Sequence, residues 1–103
     1  MLCGASSLKN VVIPSTVKTI GEAAFKDCIS LESMHIPASV TYIGEDAFLN
    51  ACGSMKEFEF EVKDGWVCAA TGGDYKVYAS DLSTTYKTIA KLNDYNFAPW
   101  VRR

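Results

Sequence analysis

The chain has 103 residues, 49% hydrophobic and 21% charged, with ten basic against twelve acidic residues for a net charge of −2. That composition excludes an intrinsically disordered chain and suits one modest folded domain. It also lacks the dense basic footprint that nucleic-acid binding needs, and no apolar run approaches the roughly 20 residues that span a bilayer.

The first half of the chain is written twice. Leu8 pairs with Leu31, Val11 with Met34, Ile13-Pro14 with Ile36-Pro37 and Val17 with Val40. Ile20-Gly21 then pairs with Ile43-Gly44 and Ala24-Phe25 with Ala47-Phe48, always 23 residues apart. A period of that length marks a solenoid, whose units cannot bury their apolar sides alone and so stack on their neighbours.

Each unit opens on a strand. Val11 and Ile13 point inward while Asn10 and Val12 point out, and Met34 and Ile36 copy this with Ser33 and His35 outward. Pro14 and Pro37 close the strands, because proline cannot donate to a ladder. The apolar pairs Val17/Ile20 and Val40/Ile43 follow, and then Gly21 and Gly44 at turns where positive φ is expected. Residues 22–26 and 45–49 read as one helical turn each, acidic at the start, with Phe25 and Phe48 plugging the space between layers.

A third, partial unit begins at Cys52. Met55, Phe58 and Phe60 stand 24 residues beyond Leu31, Met34 and Ile36, which places one extra residue near Asn50-Ala51 as a small bulge. Glu61 then occupies the proline position and the pattern stops. Cys3, Cys28 and Cys52 follow the repeat at offsets of 25 and 24, and no cysteine pair, Cys68 included, has the close spacing of a zinc site. Cysteines recurring in such a column read as small buried hydrophobes.

From residue 63 onward the pattern changes. Asp64-Gly65 is a turn, and residues 66–70 and 75–78 are strands around Gly72-Gly73-Asp74, a hairpin signal. Leu82, Tyr86, Ile89 and Ala90 recur at helical spacing and predict a helix over 82–92, capped by Ser80 or Asp81 and ended by Asn93. The aromatic tail 95–100 packs back on the body. The expected architecture is α/β: a short solenoid of parallel strands with about two and a half repeats of 23 residues, closed by an α/β cap. Residues 1–62 hold the repeats (3–27, 28–51 and the partial 52–62), and residues 63–103 form the cap, packed as one domain with them.

The string from Cys28 to Phe48 resembles the BspA-like leucine-rich repeats, whose pattern is C-x-S-L-x-x-(V/I)-x-I-P-x-S-V-x-x-I-G-x-x-A-F. The likeness covers residues 3–60, with departures in the spacing after Cys3, at Thr16 and in the truncated third copy. The resemblance implies a cell-surface or secreted protein that binds host-matrix or other protein ligands. It implies no catalytic residues and no cofactor.

Outward residues of stacked strands line up in columns on one face, here Lys9/Glu32/Lys56, Asn10/Ser33/Glu57 and Val12/His35/Glu59. The candidate ligand-binding set is therefore Asn10, Val12, Ser33, His35, Glu57 and Glu59. A thiol partner for His35, the single histidine, is not expected, since Cys28 and Cys52 belong to another column. Glu57, Glu59 and Glu61 sit in a row, which does not wrap a calcium ion. No metal site is expected. A strand rather than a helix follows Gly72-Gly73, so it is a turn and not a phosphate loop.

The expected function is a non-enzymatic interaction or adhesion module; the alternative is a spacer of a larger surface protein with no ligand of its own. The first layer lacks a preceding repeat over Leu8, Val11, Ile13 and Phe25, so the chain is expected either to be only marginally stable or to self-associate end to end through that layer. The chain starts without the basic and apolar regions of a secretory signal, as a fragment cut from a longer protein would.

Overall fold

Apolar residues that recur every 23 positions lie against one another in the computed structural model, which describes residues 7–51 and 53–102. Two short strands, β1 (Thr19–Ile20) and β3 (Tyr42–Ile43), pair in parallel with Thr19 beside Tyr42 and Ile20 beside Ile43. A second parallel pair joins β2 (Ser33–Ile36) to β4 (Glu57–Phe60), in register from Ser33↔Glu57 to Ile36↔Phe60. Asn10 extends that ladder backward through a parallel bridge to Ser33. The strand expected over residues 10–13 is reduced to this bridge, this segment having a neighbour on one side only among the described residues.

The extra residue that shifts β4 to a 24-residue offset falls later than expected. Ala51 N still donates to Phe48 O as Cys28 N does to Phe25 O, at 3.1 and 3.2 Å, so the 23-residue register holds through Ala51. It is lost before Lys56, whose N donates to Glu32 O at 2.8 Å. Asn50-Ala51 is therefore not the bulge. Cys3 and Cys52 lie outside the described residues; of the proposed cysteine column Cys28 remains, fully buried.

Residues 22–27 and 45–50 are turns, not the expected single turns of helix. Ala23, Asp27, Asp46 and Asn50 take φ of 55, 61, 57 and 59°, again 23 apart. Left-handed residues rotate alternate N–H groups out of the turn. Ala23, Phe25 and Asp27 thereby donate to the carbonyls of Glu45, Ala47 and Leu49 at 3.0, 2.8 and 2.8 Å, tying layer to layer. Gly21 and Gly44 do not have the expected positive φ, which belongs to these other residues and to Gly65 and Gly73. Gly44 is there for space. A Cβ on it would collide with Glu22 N and stand 2.6 Å from Glu22 Cα.

The C-terminal segment supplies β5 (Trp66–Ala70), β6 (Gly73–Lys76) and β7 (Trp100–Arg102). The second hairpin strand starts two residues earlier than expected, at Gly73, and ends at Lys76. β5 pairs antiparallel with both β6 and β7, and β7 pairs antiparallel with β3. The result is a mixed five-stranded sheet in the order β1-β3-β7-β5-β6. β7, which the sequence pattern did not announce as a strand, joins the two halves.

A 3-10 turn (Ala79–Leu82) leads into the helix α1 (Thr85–Asp94). Thr84, not Ser80 or Asp81, caps α1, its Oγ1 accepting from Lys87 N at 3.1 Å. The later start changes the apolar face: Tyr86 is 82% exposed and Ala90 exposed, while Thr88 and Leu92 are buried. Thr88 tolerates burial because its hydroxyl donates to Thr84 O at 2.8 Å.

The core is strung along an aromatic series. Phe25 stacks on Phe48 at 5.4 Å, Phe48 meets Phe58 edge-on at 5.1 Å, and Phe58 stacks on Phe60 at 5.8 Å. Phe60 then meets Trp66 at 5.5 Å and Trp100 at 6.0 Å. Such ring pairs add about 0.5–1.5 kcal/mol each beyond the area they bury.

Candidate functional site

Strand alternation decides which side chains of the β2–β4 ladder are available to a ligand. Met34, Ile36, Phe58 and Phe60 turn inward and are buried, leaving His35, Glu57 and Glu59 exposed, with Ser33 half-buried beside them. Val12, on the neighbouring first unit, is 90% exposed. The six sequence-derived residues therefore share one face.

Their contacts run across the strands. Ser33 Oγ donates to Asn10 Oδ1 at 2.8 Å, His35 Nδ1 lies 3.8 Å from Glu59 Oε1, and Lys56 Nζ lies 3.8 Å from Glu32 Oε1. The expected alternation of sign in the Glu32/Lys56 column is thus used between layers. These pairs are exposed and contribute little to stability. What they do is hold the side chains in columns, with apolar Val12 at one end and the carboxylates of Glu57 and Glu59 at the other.

Between the columns runs a shallow groove of about 240 Å³, lined by Val11, Val12, Ile13, Ser33, Met34, His35 and Glu57. Alternation turns Val11, Ile13 and Met34 inward, and between the outward side chains they form its floor. Val11 and Ile13 are only half-buried because no described residue covers that side of the first unit.

Glu61 does not join the acidic row. It occupies the register position of Pro37, and its Oε1 accepts the N–H of Ala38 at 2.6 Å. A proline there could not have done this. The replacement of proline by a carboxylate at a ladder's end was the sequence signal for it.

Among the described residues no group of His, Cys, Asp and Glu could hold a metal ion. Cys28 and Cys68 are both buried away from the strand face. Cys68 Sγ lies 3.8 Å from the carbonyls of Tyr95 and Ala98, and burial pushes its thiol up, with the Asp74 charge adding to this and a backbone hydrogen bond at Ala98 opposing it. A buried thiol held protonated is not an activated nucleophile. Among aromatic residues that could serve recognition, Trp100 is buried, Tyr95 half-buried, and Tyr42, Tyr75 and Tyr78 exposed. Tyr75, Tyr95 and Phe97 pack on one another with centroids 5.5–6.1 Å apart, too tight to admit a ligand between the rings. No helix among the described residues is long and apolar enough to cross a membrane.

Residues 2–65 match the family model described as "BspA type leucine rich repeat region (6 copies)". Comparison with curated proteins and with solved structures finds no match.

Proposed function

Because the chain belongs to the BspA-type leucine-rich-repeat family, we propose that it is a non-enzymatic protein-interaction module of a cell-surface or secreted protein. In this reading residues 1–62 are a short solenoid of about two and a half repeats, and residues 63–103 are its C-terminal cap. The ligand is a protein, of the host matrix or otherwise, and it meets Asn10, Val12, Ser33, His35, Glu57 and Glu59.

The observation that carries this reading is the groove of about 240 Å³ running beside those residues. It offers a hydrophobic floor and an exposed Val12, flanked by the exposed carboxylates of Glu57 and Glu59. That combination suits an apolar side chain bordered by lysine or arginine on the ligand. Charge at the rim sets the encounter rate and its salt dependence, and the apolar floor sets how long the complex lasts.

The test uses immobilised extracellular-matrix proteins as probes. Val12→Lys combined with Glu57→Lys and Glu59→Lys should lower affinity about a hundredfold or more, as loss of an interface centre does. The three sites are exposed, so unfolding free energy should change by no more than about 0.5 kcal/mol at each. Binding that survives the triple change would move the site off this face. Absence of binding by the unaltered chain would favour a spacer that only positions another part of a longer protein.

A further inference from the structure

The two ends of the stacked strands differ. At one end β7 lies antiparallel on β3, with Arg102 N donating to Thr41 O at 2.9 Å. At the other, β1 is an edge strand that no described residue pairs. Positions that are closed in the second unit are open in the first. Met34, Ile36, Val40 and Ala47 are at most 3% exposed, whereas their counterparts Val11, Ile13, Val17 and Ala24 are half-buried. Ile13, Val17 and Ala24, with Val12, Pro14, Ile20 and Phe25, line an apolar groove of about 290 Å³. The same contrast reaches the backbone: a Cβ on Gly44 would strike the first unit, and one on Gly21 would meet nothing within 4 Å.

We infer that β1 is the seam of a two-fold dimer, in which the β1 strands of two copies of this chain pair antiparallel with Ile20 opposite Ile20. Three observations select a second copy in this register. The carbonyls of Lys18 and Ile20 accept from Thr41 N and Gly44 N at 2.9 and 2.7 Å, so they face β3. Alternation along the strand then turns the peptide groups of Thr19 and Gly21 to the open side. Antiparallel pairing about Ile20 sets Thr19 opposite Gly21 of the second copy, and those are the two residues whose outward groups can form the hydrogen-bonded pair. The Gly21 carbonyl, which also receives Ala24 N at 3.2 Å, has a second lone pair for this.

Charge supplies the second observation. Lys18 and Glu22, both exposed, flank Ile20 at equal distances along the chain. The same register sets Lys18 opposite Glu22 of the second copy, twice by symmetry. A parallel mate would not cross them in this way. The third observation is that, among the described residues, only one end of the stacked strands lacks a neighbour. A face that pairs with itself closes as a dimer, and the end covered by β7 cannot propagate a filament. The other sheet edge, β6, is exposed at all four of its residues and has no half-buried apolar row like that of the first unit to cover.

Sedimentation equilibrium of the 103-residue chain over a concentration series should give twice the 11.3 kDa chain mass. Lys18→Glu alone and Glu22→Lys alone each set like charges opposite one another and should each weaken the dimer about tenfold. The double exchange, Lys18→Glu with Glu22→Lys, should restore it. Thr19→Pro, which removes an outward N–H, should abolish it. Far-UV circular dichroism checks that each variant folds. A chain monomeric throughout the series overturns the inference, and so does a dimer indifferent to the single exchanges or not rescued by the double. Lys18, Thr19 and Glu22 are outside the proposed ligand set, but Val12 and Ile13 line both grooves, so matrix binding is measured separately, at chain concentrations below the dimer range, and does not decide the dimer test.

Discussion

Gly21 and Gly44 occupy the same place in two copies of one pattern and have different jobs. Gly44 sits against the backbone of the preceding unit, where a methyl group would overlap Glu22 N. Gly21 faces open space. Gly44→Ala should therefore cost about 1–3 kcal/mol, the range for forcing extra volume into a packed site. Gly21→Ala should be neutral to within about 0.5 kcal/mol in the dilute monomer, as for surface substitutions generally. Urea unfolding of the two variants checks the contrast, and equal losses would refute the close approach. Glu61 makes a similar point, since by register it should have been a proline and instead ends the ladder by accepting from Ala38 N.

At the scale of elements, α1 is placed by one hydroxyl and one cap. Thr85 Oγ1 accepts the N–H of Phe58 at 3.1 Å, taking up a β4 donor that would otherwise need a further strand. Thr84 caps the same helix one residue earlier. Thr85→Val keeps the shape but leaves the Phe58 N–H without its acceptor, a loss of about 1–3 kcal/mol. Thr85→Ser should keep most of it. Amide hydrogen exchange at Phe58 is the direct measurement, and unchanged protection in the valine variant would show that the hydroxyl is dispensable. The apolar periodicity predicts a helix here, and the structure starts it later: Ser80 and Asp81 resemble a cap but belong to a 3-10 turn. Only the β4 edge waiting for an acceptor selects Thr84-Thr85 as the true beginning.

Over the whole molecule, Trp100 is the joint. Its β7 backbone pairs with β3 on one side and β5 on the other, its ring contacts Phe60 and Trp66, and its Nε1 donates to Tyr95 O at 2.8 Å. Trp100→Ala removes all the ring contacts and should cost about 3–5 kcal/mol. Because β7 is shared, the repeat-bearing strands and the C-terminal strands should lose structure in one transition. Coincident melting by far-UV circular dichroism and Trp66 fluorescence checks this. Two separate transitions would mean that the halves are held together more weakly than the sheet suggests.

What the sequence by itself determined is the set of columns. A 23-residue period with strand alternation is enough to state that Phe25 lies on Phe48, that Met34 and Ile36 turn in, and that Asn10, Val12, Ser33, His35, Glu57 and Glu59 share a face. Each follows from a spacing that a single backbone geometry repeats. The tertiary structure decided what closes the stack. β7 carries no period of its own and is a strand only because β3 and β5 both present edges to it. The turn at 22–27 abandons helix because alternate N–H groups find acceptors in the next layer, and the turn at 45–50 keeps the same shape to present those carbonyls, with Asp46 N donating to Asn96 O. Periodic local chemistry is legible in a chain; a partner that exists only once two distant edges meet is not.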